Sequence, residues 1–227
     1  MNSFTTITLD WPAGSGKGTT AKLLAEKLGF QYLDSGAMYR AVAVYLTTKW
    51  AHLEAVTEED VSWIVIDFDE QNHVCINGEE YESKIRTAEV GVWASKIASQ
   101  PVVRACVISA GQKILEKNNF VLEWRDTGTI WAPWAQLKVY LIADPEVRAH
   151  RRFLDLQAKW EDISEAEVLE QIIARDFRDT SRSDGPLVKP EDAYEIDTTH
   201  LTIPEQVDQL YQVCLRERIN SHRPIAG

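Results

Sequence analysis

Thr5-Thr6-Ile7-Thr8-Leu9-Asp10-Trp11-Pro12-Ala13-Gly14-Ser15-Gly16-Lys17-Gly18-Thr19 is the stretch that decides the fold. Its β-branched opening, Thr5 to Leu9, predicts a strand, and the turn-rich run from Trp11 to Gly18 leads into TTAKLLAEKLG, whose apolar residues recur at helical spacing. Strand, glycine-rich turn and helix in that order make a phosphate-cradling loop. Gly14 and Gly16 allow backbone N–H groups to turn inward on phosphate oxygens, the helix N-terminus adds a favourable dipole, and Lys17 can reach the β/γ-phosphates. The candidate nucleotide contacts are therefore Pro12, Ala13, Gly14, Ser15, Gly16, Lys17, Gly18 and Thr19. Gly18 stands where GTPases and ATPase motors place the Ser or Thr that ligates Mg²⁺, so a metal is expected to be held by phosphates and water, with no direct protein ligand. Trp11 occupies the position where the pattern G-x-x-x-x-G-K requires glycine, and an indole there is either tolerated at the strand end or crowds the loop.

Outward from this loop, apolar runs at Phe120 to Glu123 and Lys138 to Ala143 read as buried strands, each followed by polar loop and helix. That alternation predicts an α/β fold of three layers around a central parallel sheet. Between about Glu59 and Ser99 the texture changes to short alternating segments, WIVIDFDE, HVCIN and GEEYES, divided at Gln71-Asn72 and at the hairpin signal Asn77-Gly78. A small antiparallel sheet inserted at 59–99 is expected, with the core domain formed by 1–58 and 100–227. Ser164 and Glu167 form a capping box that opens a helix to Arg182, a preceding helix covers roughly Glu146 to Lys159, and the polar junction AKWEDIS marks a short helical lid at about 150–164. On the second helix Arg175, Arg178, Asp179 and Arg182 share one face. Its two readings are a solvated charged stripe and a phosphate-neutralising surface. Arg148, Arg151 and Arg152 read as ordinary helix-surface charges.

The bulk composition sets limits on partners. At 227 residues and 44% apolar, the chain can bury one substantial core without metal or disulfide staples. A net charge of −11 argues against nucleic acid as a partner, and the absence of a long apolar run argues against a membrane span. The N-terminus lacks the pattern of an export signal, which places the expected protein in the cytoplasm, and nothing demands more than a monomer. Cys75, Cys106 and Cys214 are far apart and lack metal-ligand spacing, so they read as buried small hydrophobes.

Leu33-Asp34-Ser35-Gly36-Ala37-Met38-Tyr39-Arg40 follows the first helix and a short strand. Together with GSGKGT it resembles the signature of bacterial-type cytidylate kinases, within the nucleoside monophosphate kinases of the P-loop class. The resemblance continues through IRTAEV, ASKIASQPVVR, RDTGT, KVYL, AHRR and RDFRDTSR, nearly the whole chain. It implies ATP-dependent phosphorylation of CMP and dCMP with Mg²⁺, and makes the inserted sheet part of a monophosphate-binding domain. By that resemblance Asp34, Ser35, Arg40, Ser95, Arg104, Arg125 and Asp126 surround the acceptor. Arg104, Asp126 and Ser95 read the cytosine edge, while Arg40 and Arg125 hold its phosphate. Arg175 and Arg182 neutralise the transferring phosphoryl and the acceptor phosphate, and Asp179 meets the acceptor ribose. The implied catalytic set is Lys17, Arg125, Asp126, Arg175 and Arg182, whose task is positioning and charge neutralisation with no nucleophile.

Six of the eight tryptophans depart from that pattern. The resemblance puts glycine at Trp11 and Trp124, aspartate at Trp134 and a smaller aliphatic residue at Trp131, and Trp93 and Trp160 are also foreign to it. Trp11 and the 124–134 stretch fall at the carboxyl ends of expected strands, where an open α/β sheet binds its ligand. Two alternatives therefore stand beside an active CMP kinase. One is an engineered or catalytically impaired chain of the same fold with altered nucleotide binding; the other is a kinase of a different monophosphate.

Overall fold

The strand Thr6–Asp10 (β1) is buried at every position, as a run of Thr, Ile and Leu must be at the middle of a sheet covered on both faces. The computed structural model describes residues 4–13, 17–49, 53–158 and 160–219. The described residues within 1–33 and 118–227 form one compact unit, and those within 34–117 form a second.

In the first unit β1 leads to helix α1 (Lys17–Leu28) and strand β2 (Gln31–Asp34). Strand β6 (Phe120–Trp124), strand β7 (Leu137–Ile142), helix α6 (Pro145–Gln157), helix α7 (Glu165–Ser181), strand β8 (Tyr194–Asp197) and helix α8 (Ile203–Arg216) follow later in the chain. The strands make one sheet in the order β2-β6-β1-β7-β8. β1 pairs in parallel with β6 and β7, and the register sets Asp10 opposite both Trp124 and Tyr140. Everything that follows β1 and β6 thus leaves the sheet at the same carboxyl edge.

Helix α1 stops at Gly29, whose φ of 67° allows the Phe30 N–H to reach back to the Ala25 carbonyl at 2.9 Å. The Gly29 N–H donates to Glu26 at 3.2 Å, which completes a Schellman cap and turns Phe30 into the core. That core joins Ile7, Leu9 and Trp11 to Leu24 and Leu28 of α1 and to Leu210, Val213 and Cys214 of α8. The hairpin of α6 and α7 has its own apolar cluster, Ala149, Leu156, Val168 and Ile172. The Ser164–Glu167 capping box opens α7 as expected, with Glu167 accepting the Ser164 N–H at 2.8 Å.

The second unit contains α2 (Ser35–Thr48), α3 (Glu58–Val61), α4 (Ala88–Ile97), α5 (Pro101–Leu115) and the antiparallel sheet β3 (Ile66–Phe68), β4 (Val74–Ile76) and β5 (Glu79–Glu80). The β4–β5 turn is Asn77-Gly78, with φ of 52° and 82°, the two positive values this hairpin type requires. The unit is wider than the 59–99 insert, because α2 packs on α4 and β4 while α5 packs on β3 and α3, so the flanking helices cohere with the small sheet.

Candidate functional site

The residues that lead into the glycine-rich loop are held from two directions. Ala13 is buried, and its N–H donates to Asp176 Oδ1 of α7 at 3.0 Å. Its carbonyl accepts from Arg148 Nη1 of α6 at 2.7 Å, and the same Arg148 nitrogen lies 2.7 Å from Asp176 Oδ2. Arg148 also donates through Nε to the Ala143 carbonyl at 2.9 Å. The expectation that Arg148 is a surface charge is therefore wrong: its side chain is only 4% exposed. Backbone carbonyls and a carboxylate compensate its charge there, as a buried guanidinium requires. Arg151 is likewise no free surface charge, for its Nη2 serves the carbonyls of Thr198, Thr199 and Leu201, while Arg152 is exposed as expected. Gly14, Ser15, Gly16 and the Lys17 side chain lie outside the described residues. Pro12 is half-buried, and Gly18 and Thr19 sit in the first turn of α1.

Trp11 is wholly buried in the core, and its Nε1 donates to Glu123 Oε2 at 3.2 Å. The buried Glu123 carboxylate also accepts from the Tyr32 hydroxyl at 3.2 Å. Trp131 is buried too, Trp93 and Trp124 are half-buried, and Trp134 and Trp160 are exposed.

At the end of β1, Asp10 Oδ1 accepts from the Thr127 N–H and hydroxyl, each at 2.7 Å, and Oδ2 accepts from the Gly128 N–H at 2.8 Å. Sequence reasoning missed this carboxylate, which fastens the π-helical turn Thr127–Trp131 to the central strand. Burial pushes its carboxyl up to about 6, against the three donors, which favour the ionised form. The folded value thus lies above the ordinary aspartate value near 3.9. The resulting contribution to stability is complete below that ordinary value and is lost as pH rises through about 6. Urea midpoints of wild type and Asp10→Asn across this interval check the sign: the variant is expected to lose less stability than wild type as pH rises.

Gly128 is required by space. A Cβ on it would lie 2.9 Å from Pro190 Cγ and 3.1 Å from both Asp10 Oδ2 and Thr8 Oγ1. Gly128→Ala is expected to cost about 1–3 kcal/mol through overpacking, seen as a lower urea midpoint at unchanged slope.

Beyond β6, Arg125 is 1% exposed and its Nε donates to Asp179 Oδ2 of α7 at 2.8 Å. Its guanidinium lies 5.2 Å from the centre of the Trp124 ring. Arg175 Nε is 3.8 Å from the same Asp179 oxygen, and Arg182 Nη2 is 3.5 Å from Asp126 Oδ2. Arg182 closes α7 as its C-cap and also donates through Nε to the Gly185 carbonyl. Three guanidiniums thus surround two carboxylates. Burial pushes Asp179 up, and the cations Arg125, Arg175 and Arg182 outweigh it, leaving the carboxyl below its ordinary value. Arg178, expected on the same face, is exposed and bonds the Ala174 carbonyl of its own helix.

The other acceptor candidates belong to the second unit. Asp34 caps α2 by accepting the Ala37 N–H at 2.9 Å and pairs with Arg86 at 3.3 Å. Ser35 is buried at the start of α2, and Arg40 is half-buried on the same helix. Ser95 is exposed on α4, and Arg104 is 2% exposed on α5.

A family model described as cytidylate kinase matches residues 7–216. The chain is 43% identical over 211 residues to the cytidylate kinase of Thermosipho africanus, covering 93% of this chain and 95% of that one. It is 42% identical over 218 residues to the cytidylate kinase of Thermotoga maritima, covering 95% and 98%. Among solved structures it is similar in fold to a protein from Eubacterium ventriosum, with a TM-score of 0.53 and 16% identity over 93% of this chain and 98% of that one.

Proposed function

The chain belongs to the cytidylate kinase family, and from that premise we propose that it transfers the γ-phosphoryl group of ATP to CMP or dCMP. The observation that carries this reading is the guanidinium cluster at the carboxyl edge of the sheet, Arg125, Arg175 and Arg182 around Asp126 and Asp179. Phosphoryl transfer spreads negative charge over the moving group, and preorganised cations stabilise that charge.

In this reading the backbone of the glycine loop and Lys17 hold the ATP phosphates. Arg125 holds the acceptor phosphate, Arg175 and Arg182 neutralise the group in transit, and Asp179 orients Arg125 and meets the acceptor ribose. Arg104, Ser95 and Asp126 read the cytosine edge, and Asp34, Ser35 and Arg40 support the acceptor and its phosphate. The residues present fit Mg²⁺ brought in on ATP, because Gly18 offers no hydroxyl and the Asp10 carboxylate is committed to three donors of its own chain. Bound Mg²⁺ would draw charge from the phosphate oxygens. The α6–α7 junction serves as the lid, and the chain acts as a cytoplasmic monomer.

A second reading, an impaired chain that binds nucleotide without turnover, draws on Trp124, whose ring lies beside the Arg125 guanidinium. Coupled ADP-release assays with Mg-ATP and CMP, dCMP, UMP or AMP test both. Turnover with CMP and dCMP well above UMP and AMP is the expected result, and silence with all four alongside measurable ATP binding would favour the second reading.

A further inference from the structure

Ala13 is the last residue before Gly14, and both of its backbone polar groups are claimed by side chains from far along the chain. Its N–H goes to Asp176 and its carbonyl to Arg148, and these two side chains are themselves an ion pair at 2.7 Å. A buried backbone amide needs a partner, and water or a neighbouring loop would satisfy it without constraint. A guanidinium and a carboxylate that bond each other as well as the same peptide unit instead fix its position and its plane. The partners are rigidly seated, Arg148 by its additional bond to Ala143 and Asp176 by its place on α7, whose inner face packs on α6.

We propose that Arg148 and Asp176 are positioning residues for the phosphate loop, setting where the chain enters Gly14-Ser15-Gly16 and so how tightly the ATP phosphates are held. This rests on the reading that the loop binds ATP. Asp176 follows Arg175 directly and precedes Asp179 by three residues. One helix, α7, therefore carries both the latch on the donor loop and the cations and carboxylate at Arg125. Neither residue need touch nucleotide for this role.

The test is a comparison of wild type with Asp176→Ala, Asp176→Asn and Arg148→Met, reading kcat, KM for ATP at saturating CMP, KM for CMP at saturating ATP, calorimetric Kd for Mg-ATP, and Tm. Losing the Asp176 acceptor for the Ala13 N–H together with the ion pair that seats Arg148 is expected to raise KM and Kd for ATP roughly tenfold or more in Asp176→Ala. KM for CMP is expected to change less than about twofold. Asp176→Asn keeps an acceptor for the Ala13 N–H and loses the ion pair, so it should fall between the two. It also supplies the answer should Asp176→Ala fail to fold.

Variants whose Tm falls while ATP affinity, measured well below melting, stays at the wild-type value would overturn the proposal, since that is how a purely structural pair behaves. Equal increases in both KM values would overturn it as well. A wild-type chain that binds Mg-ATP but phosphorylates none of the four monophosphates would sink the proposed activity alone, and the Kd comparison would still decide the role of the pair.

Discussion

Trp11→Ala is expected to lower stability by about 3–5 kcal/mol, the usual cost of deleting a buried aromatic side chain. For a chain of 227 residues that corresponds to a fall in Tm of roughly 6–20 °C. The indole is wholly buried in the same cluster as Ile7, Leu9, Leu24 and Val121, so its removal leaves a cavity in the core of the first unit. It also withdraws the Nε1 donor from Glu123, a carboxylate only 3% exposed. Trp11→Gly is expected to lose a further amount approaching 1 kcal/mol from backbone freedom. Thermal unfolding of the three proteins checks this. A glycine variant that melts as high as the parent would mean that the indole strains its pocket as much as it fills it. The same variant separates stability from crowding of the loop: if the indole crowds Gly14 to Lys17, KM for ATP falls in Trp11→Gly even as Tm drops.

Arg125→Met is expected to reduce kcat/KM for CMP by the cost of truncating one partner of a buried, hydrogen-bonded charge pair, about 2–5 kcal/mol. That is roughly 30-fold to a few thousand-fold in rate. The substitution removes the donor to Asp179 and the cation proposed to hold the acceptor phosphate, and it leaves Asp179 with less opposing charge. Arg125→Lys keeps the charge without the planar fork and should recover only part of the loss. A stability readout gives an independent sign. Because the folded Asp179 carboxyl lies below its ordinary value, its contribution is present above the ordinary value near 3.9 and is lost as pH falls through the lower folded value. Wild type should therefore lose more stability than Arg125→Met on acidification below pH 4 or so. Parallel acid profiles for the two proteins would show that the pair contributes nothing to folding, and unchanged kcat/KM would remove Arg125 from the acceptor site.

Much of this architecture is written locally. β1 follows from Thr6 to Asp10, the β4–β5 turn from Asn77-Gly78, and the start of α7 from Ser164 and Glu167, because each depends on residues within a few positions of one another. The grouping of Arg175, Asp179 and Arg182 was legible in the same way, as neighbours on a helix face. Arg178 shares their helix face yet is exposed and bonds its own helix, since spacing alone does not say which edge of a face meets the protein. The sequence could announce that Trp11 stands at a glycine position, but not that its ring turns into the core onto Glu123, 112 residues away.

Local chemistry by itself thus determined the elements, the phosphate-loop motif and the helix face that carries the arginines, since propensity, capping and periodicity act over single turns. Only the tertiary structure decided which polar groups share a peptide unit or a carboxylate: Arg148 and Asp176 on Ala13, Asp10 on Thr127 and Gly128, Arg125 on Asp179. Those pairings are a matter of which strands and helices end at the same edge of the sheet. Burial then makes each of them costly to leave unmade.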